Sequence, residues 1–111
     1  MSDCIFCRII SGEIPSNKVL EEDDFIAMKD VNPQAPTHIL IVPKTHIPNV
    51  TASDNTQLLG KLLQQAKVLS EKLGITNGFR LVINTGNWGG QTVDHLHIHF
   101  LAGRALGWPP G

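Results

Sequence analysis

The sequence predicts an α+β domain built on a largely antiparallel sheet, and three observations support this prediction. Five short apolar segments have the composition of β-strands, and short turns join most of them. One long segment, residues 54–73, repeats apolar side chains every three or four residues, as an amphipathic helix does. The 111 residues include 41% hydrophobic and 17% charged side chains, values that suit one compact domain over residues 1–111.

The first half of the chain predicts one short helix and three strands. Residues 5–12 carry apolar side chains at helical spacing and end in a glycine. Residues 19–20 and 25–28 predict two short strands around an acidic turn. Residues 38–43 are almost entirely apolar and rich in β-branched side chains, so we expect a buried central strand there.

The second half predicts the long helix and two further strands. Ser53 or Asp54 can cap the first turn of this helix, and Gly74 can end it. Residues 79–84 and 95–101 predict the last two strands, which a glycine-rich loop joins. We expect both helices to cover one face of the sheet.

Histidine alternates with apolar residues in the last predicted strand. Side chains of a strand point to alternate faces, so we expect three imidazoles on one face and three apolar side chains toward the core. Imidazole titrates at about pH 6.5, so such a row can bind metal, bind phosphate or attack an electrophile. The residues are His95, His97 and His99 on one face and Leu96, Ile98 and Phe100 on the other.

The middle histidine, His97, is the best-placed nucleophile or base. One of its ring nitrogens can attack only if the other carries the proton, and a nearby main-chain carbonyl could hold that proton. His99 and His38 could then donate hydrogen bonds to phosphate oxygens.

Polar loop residues are further candidates, each with an ordinary structural alternative. Gly89 and Gly90 can expose main-chain N–H groups to an anion, or they can form a plain hairpin turn. Gln91 and Thr92 add side-chain donors beside them. Asp30 could accept both hydroxyls of a ribose, or it could cap a turn.

The two cysteines, Cys4 and Cys7, have the spacing of half a zinc site. A tetrahedral site needs two more ligands, and His46 and His95 are the candidates. The alternative is a pair of thiols packed beside a short helix. A second, catalytic metal site would have to use the histidine row itself.

Composition excludes several classes of partner. The nine basic and ten acidic residues give a net charge of −1 without a basic patch, which argues against nucleic acid but allows a small phosphorylated ligand. No apolar run approaches the roughly 18 residues that span a membrane. The N-terminal residues do not look like a signal peptide, so we expect a cytoplasmic protein without disulfides.

Over almost its whole length the chain resembles the histidine-triad (HIT) superfamily, and within it the branch of histidine-triad nucleotide-binding proteins. The pattern of histidine alternating with apolar residues over residues 95–101 is similar to the motif that names the family. The resemblance extends to residues 4–15, 30–38, 41–46, 84–104 and 107–111.

The resemblance implies a HIT-like fold whose five-stranded sheets join across a homodimer, with a purine nucleoside monophosphate-type ligand. It implies a phosphoramidase that hydrolyses the P–N bond of adenosine 5′-phosphoramidates, and also acyl-adenylates, through a nucleotidyl intermediate on His97. His99 and His38 would orient the phosphate, and Thr92 would donate a hydrogen bond to the leaving amine or to a phosphate oxygen. It also implies a structural zinc ion held by Cys4, Cys7, His46 and His95, and no organic cofactor.

The resemblance also assigns the substrate-binding residues. Asp30 would hold the ribose, with Val31 and Phe25 near the base. Trp108 would approach the site of the partner subunit. The residues expected near the phosphate are Asn84, Gly90 and Gln91.

Three positions depart from the pattern of this branch, and three other functions stay open. Thr92 stands where serine is frequent, Asp94 where an aromatic residue is frequent, and Ala102 where glycine is usual. The alternatives are a dinucleoside polyphosphate hydrolase, a nucleotide-binding interaction module without catalysis, and a metallohydrolase with one metal on all three histidines.

Overall fold

The computed structural model describes residues 3–111, which form two α-helices, one turn of 3₁₀ helix and five strands. The 3₁₀ turn covers Val50–Ala52. The other elements, in chain order, are α1 (Ile5–Ile10), β1 (Lys18–Glu21), β2 (Phe25–Lys29), β3 (Thr37–Pro43), α2 (Thr56–Lys72), β4 (Phe79–Val82) and β5 (Ile98–Ala102).

The five strands form one sheet in the order β1-β2-β3-β5-β4, and every neighbouring pair is antiparallel. The central strand β3 pairs with β5 in a register that places Ile39 opposite Phe100 and Ile41 opposite Ile98. The predicted α+β class with a five-stranded antiparallel sheet is therefore confirmed.

The two helices lie on opposite faces of this sheet. Ile39 and Ile41 of β3 belong to the core cluster that includes α2 residues, whereas Leu40 and Val42 cluster with α1 residues. The prediction that both helices cover one face is thus wrong. The reason is that β2 and β3 are buried along almost every residue, and a strand that is apolar on both faces needs a covering layer on each side.

The ends of α2 show which local signals determine the helix boundaries. Asn55 is the N-cap, and its side chain accepts a hydrogen bond from the N–H of Leu58, so the expected cap at Ser53 or Asp54 is wrong. Gly74 follows the helix with φ of +65°, the left-handed conformation that glycine adopts without strain. The prediction of the C-terminal end is confirmed. No helix in residues 3–111 is long and apolar enough to span a bilayer.

Strand β5 begins at Ile98, three residues later than the sequence predicts. Continued past Ile98, the register of β5 with β3 would place His97 opposite Val42 and then Leu96 opposite Pro43, and proline has no N–H to continue the ladder. The N–H of Leu96 instead donates to the carbonyl oxygen of Ile47 at 2.6 Å. His95 and His97 therefore lie on an irregular segment that leads into the strand.

Candidate functional site

His97 is buried just before β5, and a main-chain contact determines its protonation pattern. Its Nδ1 lies 2.7 Å from the carbonyl oxygen of His95. A carbonyl can only accept, so Nδ1 carries the proton and donates it. The Nε2 of neutral His97 consequently keeps a lone pair that is available for attack. The ring of Phe6 packs edge-on against His97 at 5.1 Å between centroids and restricts its orientation.

Two further histidines form a hydrogen-bonded relay on the same face of the sheet. The N–H of Gln34 donates to Nδ1 of His38 at 3.0 Å, so neutral His38 carries its proton on Nε2. That Nε2 lies 2.9 Å from Nδ1 of His99, to which it donates. By the same logic neutral His99 carries its proton on Nε2, which is a donor toward a ligand.

The environment keeps both relay histidines neutral near pH 7. Burial lowers the pKa of His38, with a smaller opposing effect from the Asp30 carboxylate. Burial, together with the positive charges that His97 and His38 would carry, lowers the pKa of His99 to about 4. A neutral pair is what the chain of hydrogen bonds requires, because each ring must both donate and accept.

Asp30 lies at the end of β2, beside the relay. Its Oδ1 accepts a hydrogen bond from the N–H of Asn32 at 2.8 Å, so the turn-capping contact is present. Its Oδ2 lies 3.4 Å from Nε2 of His38. One carboxylate oxygen therefore shapes the turn, while the other faces the histidines.

Asp30, His38 and His99 also place possible metal-ligand atoms within 4.8 Å of one another. A metal on Nε2 of His38 would have to displace the proton that this nitrogen carries while Gln34 donates to the other nitrogen. His95 points into a different cluster. The geometry thus favours a proton-ordered relay here and does not gather the three histidines around one ion.

That second cluster consists of Cys4, Cys7, His46 and His95, whose ligand atoms also lie within 4.8 Å of one another. Nδ1 of His95 is 3.2 Å from Sγ of Cys4, 3.5 Å from Sγ of Cys7 and 3.1 Å from Nδ1 of His46. Nε2 of His95 donates to the carbonyl oxygen of Pro43 at 2.8 Å, which leaves its Nδ1 unprotonated and turned toward the cluster.

The donor set fits a metal ion. Burial lowers the pKa of His95, so its ring stays neutral and can act as a ligand. The unprotonated Nδ1 of His95 faces the Nδ1 of His46 and two sulfur atoms, an arrangement that a cation between them would stabilise. The contact of His95 with Pro43 is the type of hydrogen bond that orients metal-binding histidines.

The glycine-rich loop before the histidines requires glycine at two positions. A Cβ at Gly89 would collide with the carbonyl oxygen of Thr85. Gly90 has φ of +83°, which favours glycine, and the Asn84 side chain lies at the distance of van der Waals contact from a Cβ built there. The structure thus places the Asn84 side chain next to Gly90.

The Gln91 side chain is engaged inside this loop. Its Nε2 donates to the carbonyl oxygens of Pro48 and Val93 at 2.7 and 3.0 Å, and its Oε1 accepts from the N–H of Gly86 at 3.0 Å. Both of its N–H donors are therefore used in holding the loop. The structure thus places its side chain in a supporting position and not in one directed at a ligand.

The remaining predicted site residues differ in burial and in the part of the fold that they occupy. Phe25 is fully buried in the cluster that packs against α2, on the opposite face of the sheet from His97. Val31 and Trp108 are exposed, at 100% and 83% of their maximal areas. Thr92 is exposed and lines a cavity of about 420 Å³ together with members of the cysteine–histidine cluster.

Comparison with known proteins identifies the family. The HIT domain family matches residues 11–106. The chain belongs to the HIT family. It is 46% identical over 114 residues to the 14 kDa zinc-binding protein of Zea mays, covering 99% of this chain and 89% of that protein. It is 43% identical to the adenylylsulfatase HINT1 of Arabidopsis thaliana, covering 99% and 78%.

A solved HIT structure has the same fold. The HIT family hydrolase from Legionella pneumophila superimposes with a TM-score of 0.94 at 45% identity, covering 98% of this chain and 100% of that one. The predicted resemblance to the HIT superfamily is therefore confirmed.

Three residues outside the set predicted from the sequence contact the histidines of this HIT domain. The N–H of Gln34 orders the relay, the carbonyl oxygen of Pro43 orients His95, and Phe6 packs against both His95 and His97. Phe6 could have been found, because it stands between the two cysteines. The other two contacts are made by main-chain atoms, which have no signature in the sequence.

Proposed function

We propose that this HIT protein is a purine nucleoside phosphoramidase that hydrolyses the P–N bond of adenosine 5′-phosphoramidates. One observation carries the proposal: the hydrogen bond from Nδ1 of His97 to the His95 carbonyl leaves an unprotonated Nε2 at the site. A neutral, oriented imidazole of this kind is a nucleophile near neutral pH. The names of two similar proteins, a HIT family hydrolase and an adenylylsulfatase, support a hydrolase that acts on nucleotides.

The proposed reaction has two displacements at the α-phosphorus. In the first, the lone pair on Nε2 of His97 forms a bond to phosphorus, the P–N bond breaks, and the departing amine keeps its electron pair and takes up a proton from solvent. In the second, water attacks phosphorus, the electron pair of the P–Nε2 bond returns to His97, and a proton is released with AMP. Acyl-adenylates would react in the same way with a carboxylate as leaving group.

The relay supplies the phosphate contacts in this proposal. Nε2–H of His99 would donate to a non-bridging oxygen, and His38 would hold His99 in the donating tautomer. Asn84 and the main chain at Gly90 would line the phosphate region beside it. We assign Gln91 the role of holding this loop.

The proposed contacts with the nucleoside and with the leaving group rest mainly on the family resemblance. The Oδ2 of Asp30 would accept from a ribose hydroxyl, next to the exposed side chain of Val31. The Thr92 hydroxyl would donate to the leaving amine. Phe25 makes no contact with the ligand in this proposal, because its side chain is buried beneath α2.

We further propose that the cysteine–histidine cluster binds zinc in a structural role. Zn–S bonds of about 2.3 Å and Zn–N bonds of about 2.0 Å in a tetrahedron imply S···N distances of about 3.5 Å and N···N distances of about 3.3 Å. The contacts of His95 with the two sulfur atoms and with His46, 3.1–3.5 Å, are close to these values. The zinc-binding name of the maize relative supports the same identification.

The proposal includes a homodimer in the cytoplasm. Strand β4 is at one edge of the sheet, and its Phe79 is exposed, so a second copy could extend the sheet there and bring Trp108 to the partner's site. A reducing compartment would keep the two thiol ligands in the state that binds metal.

The test of the function uses His97→Ala and His97→Asn. Asparagine can keep the hydrogen bond to the His95 carbonyl but has no nucleophilic nitrogen, so it separates chemistry from orientation. We expect both variants to bind AMP like the wild type but to lose turnover of an adenosine phosphoramidate. Rapid-quench mass spectrometry should detect a nucleotidyl adduct in the wild-type protein only.

Two outcomes would overturn the assignment. Turnover at the normal rate in His97→Asn would exclude the covalent role of His97. A much faster hydrolysis of diadenosine polyphosphates than of phosphoramidates would make the protein a dinucleoside polyphosphate hydrolase.

A further inference from the structure

The turn after β5 holds the loop between β2 and β3 in place. The Nη2 and Nε atoms of Arg104 donate to the carbonyl oxygen of Gln34 at 3.0 and 3.3 Å. Gly103 has φ of +96°, and a Cβ there would lie 2.7 Å from the Cβ of Pro36. Only glycine therefore allows the main chain to approach the loop this closely.

The loop that Arg104 contacts has few other restraints. Its side chains at positions 31–34 and 36 are exposed, and Ala35 is the one buried side chain between positions 31 and 36. Within the loop, Nε2 of Gln34 donates to the carbonyl oxygen of Asn32 at 3.0 Å, and the N–H of Asn32 donates to Asp30. The guanidinium of Arg104 gives the loop a forked, charge-assisted anchor from a different part of the chain.

Gln34 is also the residue that orders the histidine relay. Its N–H donates to Nδ1 of His38, which places the proton of His38 on Nε2 and hence the proton of His99 on its own Nε2. If His38 carried its proton on Nδ1, its Nε2 could only accept, and the 2.9 Å hydrogen bond to His99 would require the His99 proton on Nδ1. Nε2 of His99 would then be unprotonated and could not donate to a ligand.

We propose that Arg104 is a positioning residue for His99. By holding the main chain of Gln34, it aims the Gln34 N–H at His38 and so selects the tautomer in which His99 donates from Nε2. Arg104 acts on His99 through two intervening residues, Gln34 and His38, and touches neither the phosphate nor the nucleophile of the proposed reaction. The kinetic part of this inference rests on the proposed function, whereas the tautomer itself is independent of any reaction.

The test measures imidazole ¹⁵N chemical shifts, which distinguish a protonated from an unprotonated ring nitrogen. We expect wild-type His38 to show an unprotonated Nδ1 and a protonated Nε2. Arg104→Gln should give a mixture of tautomers, and Arg104→Lys should restore part of the wild-type pattern, because lysine keeps one charged donor. Lys67→Gln, an equal change of charge on the exposed surface of α2, should leave the pattern unchanged.

Gln34 provides a second pair of variants that does not depend on Arg104. Gln34→Pro removes the N–H that His38 accepts, whereas Gln34→Ala keeps this N–H and removes only the side chain. We expect the tautomer pattern to be lost in Gln34→Pro and kept in Gln34→Ala. Thermal unfolding of each variant shows whether it is folded. If an Arg104 variant fails to fold, the two Gln34 variants provide the comparison, and the Arg104 variants provide it if a Gln34 variant fails to fold.

The kinetic readout is the split between kcat and KM on an adenosine phosphoramidate. We expect Arg104→Gln to lower kcat about tenfold with less than a twofold change in KM, since the donor that stabilises the transition state is disordered while the nucleoside contacts are intact. The proposal would be overturned if Arg104→Gln and Gln34→Pro both kept the wild-type tautomer pattern and the wild-type kcat. Absence of activity in the wild type would overturn the proposed function, and the ¹⁵N result would still decide the role of Arg104.

Discussion

The main-chain oxygen of His95 accepts a hydrogen bond from Nδ1 of His97, although the imidazoles of these two residues belong to different sites. The His95 ring points into the cysteine–histidine cluster, and its carbonyl orders the ring of His97. Phe6, located between the two cysteines, packs edge-on against both rings. The cysteine–histidine cluster and the proposed nucleophile His97 therefore share residues, and a change in the cluster should alter the orientation of His97.

Metal removal should lower stability. A metal that binds only the folded protein stabilises it, and in this chain it would link α1 to the segment before β5. We expect chelation to lower Tm by roughly 10 °C, which corresponds to about 2 kcal/mol in a domain of this size. Metal content and thermal unfolding of the same samples provide the measurement. Cys7→Ser is the control, because its Tm should no longer respond to the chelator; an unchanged wild-type Tm would contradict a structural metal.

Phe6→Leu should weaken both stability and turnover. The ring is almost fully buried among Ile26, Met28 and Leu40, and leucine cannot make the edge contacts to His97. We expect a loss of about 1 kcal/mol in the free energy of unfolding, measured by urea denaturation, and a lower kcat. Phe25→Leu is the matched control, since Phe25 is fully buried in the cluster on the opposite face of the sheet from the histidines. An equal loss of kcat in both variants would contradict a specific role for Phe6.

Stability should rise with pH between about 4 and 6.5. The pKa of His99 is lowered to about 4 by burial, whereas in the unfolded chain it is near the ordinary value of 6.5. Between these values the unfolded state binds more protons, so the free energy of unfolding increases as pH increases. The lowered pKa of His38 acts in the same direction. Urea denaturation at several pH values should give a smaller slope for His99→Asn, and an unchanged slope would show that His99 is not the group responsible.

Two glycine-to-alanine substitutions should differ in effect, because Gly89→Ala should weaken AMP binding whereas Gly60→Ala should raise stability. At Gly89 an added Cβ would collide with the main-chain oxygen of Thr85, so we expect Gly89→Ala to distort the loop beside Gly90 and to weaken AMP binding. Gly60 lies on the exposed surface of α2 with no atom within 4 Å of a Cβ, so Gly60→Ala should stabilise the protein by about 0.5–1 kcal/mol. Calorimetry of AMP binding and thermal unfolding test the pair. AMP affinity at the wild-type level in Gly89→Ala would mean that the loop does not contact the phosphate.

Much of this protein can be predicted from local pattern alone. The alternation of histidine with apolar residues correctly places Leu96, Ile98 and Phe100 in the core, since side chains of extended backbone alternate whatever they pack against. The apolar stripe of α2 and the glycine that follows it have the same local origin. The family motifs are likewise readable, because each is a short run of specific residues.

Only the tertiary structure decides which cluster each histidine side chain joins. The sequence pattern places three imidazoles in one row, but Pro43 ends the ladder, and His95 turns to the carbonyl of that residue and to two cysteines more than 80 positions away. The tautomers of His38 and His97 depend on main-chain groups, which every residue has and no sequence pattern marks. The spacing of apolar residues and the composition specify which face of a strand or helix a side chain occupies. The atoms that the side chain contacts on that face depend on how distant segments of the chain pack.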